Sequence, residues 1–185
     1  MPVILAADTS TATNSVAICR GDAVLAETII EGGRRHSERL IPTVDWLLGE
    51  AGIALSDIEL LAISLGPGSF TGLRIGAAMW KGLALANGLP LIGVPTLDAM
   101  TRLSPFSPKG YVAAILDARM KEVFASVYRY VDGERQCVIE ASALAPQQLL
   151  DAIQNLPDFS AREPLSIHEI FTGSTIYFSI ETPMI

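Results

Sequence analysis

Three strand-like runs precede any helical pattern in this chain, and that order excludes most α/β architectures. Val3 to Ala7 is short and wholly apolar, as expected of a buried strand. Ser15 to Cys19 and Val24 to Ile30 read as the next two strands. The hydroxyl-rich "TSTATN" (Thr9–Asn14) and the tight turn "RGD" (Arg20–Asp22) join them, which suggests an antiparallel meander. Helical spacing starts only afterwards, with Leu40, Ile41, Val44, Leu47, Leu48 and Ala51. Ser37 is a plausible N-cap, Pro42 then falls in the first turn, and Gly52 closes the helix.

A strand at about Leu60 to Leu65 leads into "LGPGSFTGLRIG" (Leu65–Gly76). A helix from about Thr71 to Ala86 ends at Asn87-Gly88, followed by a strand, Leu91 to Val94, and a short helix from Thr96. A weaker series follows: strands at Tyr111–Leu116, Val123–Tyr130 and Gln136–Ile139, a helix at Pro146–Asn155, and a last strand within "IFTGSTIYFSI". The order β-β-β-α-β-α-β is not the strict alternation of a Rossmann sheet. It resembles the actin-like ATPase (ribonuclease H-like) plan, an α/β fold whose mixed sheet runs from three antiparallel strands into parallel ones, in a unit that is sometimes doubled. "SPFSPKG" (Ser104–Gly110) marks the expected boundary between a first lobe, 1–103, and a second, 111–185.

Half of the chain is apolar, enough for a sizeable core, and 13 basic against 20 acidic residues give a net charge of −7. A chain this acidic is a poor partner for bare nucleic acid. Cys19 and Cys137 stand in apolar runs without metal spacing, and read as two reduced core thiols. "MPVILAADTS" has no basic leader, and the apolar run Ile75–Leu85 is too short to span a bilayer and is broken by Lys81. A cytoplasmic location and no membrane partner are expected.

The candidate chemistry is sparse. Asp8, at a strand end and followed by Thr9 and Ser10, is placed to hold Mg²⁺ or to meet phosphate, or else to close the turn by bonding nearby amides. The glycine-free turn "TSTATN" lowers the case for nucleotide. His36 has Leu40 four residues on, so no helical histidine pair forms, and the other histidine, His168, lies in a poorly patterned tail; no metal constellation emerges. Asp117 and Arg119 read as a local pair or turn cap. No nucleophile elbow and no Walker lysine is present. The glycine loop therefore reads differently from a phosphate cradle. Gly72 and Gly76 join Ala77, Ala78, Gly82 and Ala84 in a small-residue helix, with Phe70, Leu73, Trp80 and Leu83 beside it. Each helical glycine costs roughly 1 kcal/mol relative to alanine, and the usual return is close approach of another backbone. This is the pattern of a packing or docking helix.

"ILAADTSTATNSVAI", "RRHSERLIPTVDWLL", "GPGSFTGLRIG" and "DARMKEVFASVY" resemble, in order, the signature stretches of the TsaB (YeaZ) family, the third most specifically. The resemblance covers about Pro2 to Tyr130. It implies an actin-like fold and a non-catalytic scaffold or activating subunit for threonylcarbamoyladenosine modification of tRNA. In that setting a TsaD-like subunit holds the metal and transfers the group, a TsaE-like ATPase joins them, ATP and Mg serve the complex and no cofactor is intrinsic, and tRNA is met only indirectly. It further implies pairing with TsaD, or with a second copy, through the helices that start near His36 and Thr71. Carried onto this chain, the interface residues are His36, Arg39, Leu40, Thr43, Gly72, Leu73, Gly76 and Trp80, with Gly72 and Gly76 admitting a partner helix. Family members run several tens of residues longer, so an incomplete second lobe is expected. The competing reading is a stand-alone actin-like ATPase or kinase using Asp8 and Asp117, with Asp8, Thr9 and Ser10 at the nucleotide; a plain homodimer through the same helices is a third.

Overall fold

A computed structural model describes residues 1–31, 36–102, 110–157, 166–168 and 175–181, with side chains for 1–31, 38–102 and 110–157. It divides into two units, Met1–Thr96 and Leu97–Ile185. The division falls ahead of "SPFSPKG", whose residues 104–109 lie outside the described set.

In the first unit, β1 (Val3–Asp8), β2 (Thr13–Arg20) and β3 (Ala23–Glu31) form the meander. Helix α1 (His36–Ala51), strand β4 (Leu60–Gly66), helix α2 (Phe70–Asn87) and strand β5 (Leu91–Pro95) complete it. The sheet order is β3-β2-β1-β4-β5, with β1–β4 and β4–β5 parallel. This is the mixed sheet of the actin-like fold expected from the element order.

The strand alternation decides which face is covered. Val3, Leu5 and Ala7 of β1 are buried while Ile4, Ala6 and Asp8 are only half-buried. Register places Leu5 beside Ile18 and Leu61, and Ala7 beside Val16 and Ile63. Leu40, Val44, Leu47 and Leu48 of α1 and Trp80 of α2 close over that face. Each such fully buried side chain contributes about 1.5–3 kcal/mol. Ser69 caps α2 by accepting from the Gly72 amide at 3.3 Å, and Gly88 ends it in the left-handed region at φ 65°. One detail departs from expectation. Because α1 starts at His36, Pro42 lies one turn deeper than expected and leaves the Glu38 carbonyl without its helical donor.

The second unit holds β6 (Gly110–Arg119), β7 (Glu122–Val131), β8 (Glu134–Leu144), helix α4 (Pro146–Gln154), and strands β9 (Ser166–His168) and β10 (Thr175–Glu181); the short helix α3 (Thr96–Thr101) stands at its start. The order is β8-β7-β6-β10-β9 and every pairing is antiparallel. The unit therefore repeats the meander of the first but not its parallel half. Strand β10 pairs with β9 as well as with β6, and a parallel neighbour would need a crossover instead. Residues 170–174 of the expected last strand lie outside the described set. Strand β6 is buried from Tyr111 to Leu116 because both faces are covered: α4 sends Leu149 and Ile153 onto Tyr111, Ala113 and Ile115, and α3 sends Leu97 and Met100 onto Ala114 and Leu116.

Helix α3 is further fastened by Arg135 of β8. Its guanidinium donates to the Asp98 carbonyl at 3.0 Å, the Thr101 hydroxyl at 2.7 Å and the Asp98 carboxylate at 2.5 Å, and lies over the Tyr128 ring at 4.5 Å. The cysteines are both free, but only Cys19 is half-buried and Cys137 is exposed, which corrects the reading of two core thiols. Burial, then the Glu27 carboxylate, pushes the Cys19 thiol up. The Cys137 thiol, exposed as a residue but with its sulfur partly desolvated, is raised first by that desolvation and then by Glu140.

Candidate functional site

The glycine loop and the β1–β2 turn form one assembly. The Asp8 carboxylate accepts from the Ser10 amide at 2.8 Å, the Asx-turn arrangement. The Thr9 amide donates to the Ser64 hydroxyl at 3.3 Å, and the Thr9 hydroxyl donates to the Gly72 carbonyl at 2.9 Å. The Ser69 amide donates to the Ser10 carbonyl at 2.6 Å. A Cβ on Gly68 would collide with the Ser10 carbonyl, one on Gly72 with the Thr9 carbonyl, and one on Gly76 with the Thr9 hydroxyl. What these glycines admit, backbone at Gly68 and Gly72 and the Thr9 side chain at Gly76, is thus the chain's own. That corrects the expectation that Gly72 and Gly76 make room for a partner helix.

The same contacts bear on the nucleotide candidates. Asp8, Thr9 and Ser10 are brought together at one strand end, as the sequence suggests. Thr9 and Ser10 are fully buried beneath the loop, however, and Asp8 is engaged in closing the turn. Among the described residues no group of three or more His, Cys, Asp or Glu is placed to hold a metal ion. Asp117 accepts from the Arg119 amide at 2.7 Å and lies 3.9 Å from its guanidinium, a local turn pair as read from the sequence.

The interface candidates divide by helix face. Leu40, Thr43, Gly72, Gly76 and Trp80 are buried and point into the first unit, so none of them is a surface contact in this structure. The reason is helical phase. Leu40 and Thr43 share the stripe of Val44 and Leu47, and Gly72, Gly76 and Trp80 recur every four residues on the inner face of α2. Arg39 and Leu73 are half-buried at the margins, with Leu73 leaning on Gly66. The His36 side chain lies outside the described residues.

The outward faces carry what the sequence reading missed. Ile41 and Trp46 are exposed on α1, at 41% and 54%, and Phe70 and Leu85 on α2, at 67% and 88%. The Arg74 guanidinium sits 3.7 Å above the Phe70 ring. The two helices pack side by side on the sheet. Their exposed charges are segregated: Glu38, Asp45 and Glu50 on α1, Arg74 and Lys81 on α2. Trp46 was legible as a large apolar residue out of phase with the core stripe; Ile41 was not, because it adjoins Leu40 in that stripe.

Comparison with known proteins places the chain in a family. The model of the family TsaD, tRNA N6-adenosine threonylcarbamoyltransferase, matches residues 24–179. The tRNA threonylcarbamoyladenosine biosynthesis protein TsaB of Haemophilus influenzae is 36% identical over 184 residues, covering 94% of this chain and 77% of that protein. TsaB of Escherichia coli is 43% identical over 128 residues, covering 68% of this chain and 54% of that one. Among solved structures, YeaZ from Pseudomonas aeruginosa superposes with a TM-score of 0.71 at 37% identity, over 79% of this chain and 68% of that one. The chain thus spans between 54 and 77% of the lengths of these two curated relatives. With its mixed first sheet, its glycine loop folded onto the β1–β2 turn and these relatives, the chain belongs to the TsaB (YeaZ) family.

Proposed function

We propose that this chain is a non-catalytic subunit in threonylcarbamoyladenosine modification of tRNA, and that it docks a TsaD-like catalytic subunit through the outward faces of α1 and α2. The observation that carries this reading is the set Ile41, Trp46, Phe70 and Leu85, large apolar side chains exposed on two adjacent helices. Aromatic residues and arginine are the usual anchors of protein interfaces, and Phe70 with Arg74 supplies both. The acidic α1 face and basic α2 face would fix the orientation of the partner. The metal, the ATP and the tRNA are handled by partner subunits in this reading, which suits a chain with a net charge of −7.

Binding of a TsaD-like subunit to the wild-type chain and to Phe70→Asp and Trp46→Asp variants tests the proposal. A stable complex that either variant weakens at least tenfold supports it; equal binding by all three contradicts it. Leu73→Asp and Gly76→Arg are poorer probes, because Gly76 packs inside the chain and Leu73, half-buried, leans on Gly66. Calorimetry with ATP and Mg²⁺ on the isolated chain separates this reading from a stand-alone ATPase, which requires micromolar binding lost in Asp8→Ala.

A further inference from the structure

Strand β3 is an edge of the first sheet, and among the described residues no strand pairs with its free side. It is nine residues long. Its one irregularity against β2 lies near the hairpin, at Ile18/Cys19. Ala26–Glu31 is therefore regular strand with an open row of backbone donors and acceptors. Proteins usually blunt such an edge with proline, lysine or an inward-pointing charge. Strand β3 carries neither proline nor lysine, and the half-buried residues of its alternation are Ala26, Thr28 and Ile30.

An open row of peptide groups is matched by one kind of occupant, another extended backbone. The neighbouring side chains say which. Glu27, Ile29 and Glu31 alternate on the other face of the strand and are exposed, Ile29 at 53%. Asp22 is exposed in the hairpin turn, and α1, which packs over β2 and β3, exposes Glu38, Asp45 and Glu50. Among the described residues of β2, β3 and α1, Arg20 at the hairpin end is the one exposed cation. A second copy of the chain does not supply the match. Pairing two β3 strands antiparallel over their full length sets Glu27 opposite Glu27, and like charges directly opposite destabilise a strand pair.

We propose that β3 is a strand-addition site for an extended segment of a partner protein, one with Lys or Arg at alternate positions around an apolar residue. The segment pairs its backbone with Ala26–Glu31, its cations meet Glu27 and Glu31, and its apolar residue meets Ile29. The site lies within the first unit and does not depend on the docking of α1 and α2.

The probe is the synthetic peptide Thr-Lys-Thr-Val-Thr-Lys-Thr, titrated into the full chain. It should bind saturably below about 1 mM and slow amide exchange across Ala26–Glu31. Glu27→Lys with Glu31→Lys, both at exposed positions, should weaken it by about tenfold or more. That double variant should instead bind the peptide with Glu in place of Lys. The first peptide with every backbone amide N-methylated keeps its charges but not its donors, and should not bind. No binding of the first peptide, equal binding of the N-methylated one, or unchanged affinity in the double variant overturns the inference. So does slower exchange across the same residues when the chain alone is concentrated, which would assign the edge to a second copy.

Discussion

The hydroxyl of Thr9 donates to the carbonyl of Gly72 at 2.9 Å, joining the end of β1 to the first turn of α2 across 63 positions of sequence. Gly68, Gly72 and Gly76 are the residues that let the two segments come so close. The glycine loop is therefore an internal joint. By seating the inner face of α2 on the β1–β2 turn, it fixes which face of that helix is left exposed.

Gly72→Ala tests the joint. Its Cβ would meet the Thr9 carbonyl, a backbone atom that cannot swing away. We expect a loss of about 1–3 kcal/mol in urea unfolding, typical of overpacking. Gly82→Ala is the control, because nothing lies within 4 Å of its Cβ position. That substitution should be neutral or stabilise by up to about 1 kcal/mol. Equal effects at the two positions would contradict the packing role.

Arg135→Met should loosen α3. The guanidinium makes three hydrogen bonds to Asp98 and Thr101 and is largely buried, as is the carboxylate it meets. Hydrogen bonds to a charged group contribute about 1.5–3 kcal/mol, so a destabilisation of that order is expected, with faster amide exchange across Thr96–Thr101. Unchanged exchange in α3 would show that Leu97 and Met100 alone hold it.

Alkali should weaken the fold. Burial first, with nearby carboxylates, raises the Cys19 and Cys137 thiols above their ordinary 9.0, and burial raises the Tyr128 phenol above 10.0. The folded chain then keeps protons that the unfolded chain gives up, so stability is full below about pH 9 and falls as pH rises further. Urea midpoints measured from neutrality to about pH 10.5 check this. A midpoint that holds or rises above pH 9 would contradict it, and Cys137→Ser should remove part of the slope.

Much of the first unit was legible in the sequence. The apolar run at Val3–Ala7, the stripe through Leu40, Val44 and Leu47, and the Asn87-Gly88 stop report local periodicity and capping, which tertiary contacts did not override. The second unit was less so: β8 runs from Glu134 to Leu144, well past the expected Ile139, because its outer residues face solvent and carry no apolar signal. Which face of α1 and α2 is buried was less legible than the helices themselves. Leu40 and Trp80 are large and apolar, and nothing local says whether such a residue meets its own sheet or another chain. Gly72 raised the same ambiguity, since a small residue announces close approach without naming the neighbour.

The most direct test of the docking face is the dissociation constant for a TsaD-like subunit, measured for the wild-type chain, Phe70→Asp and Gly82→Ala. Wild type and Gly82→Ala should bind alike, while Phe70→Asp, folded and equally stable, should bind at least tenfold more weakly. Full affinity in Phe70→Asp would contradict a docking role for the outward faces of α1 and α2.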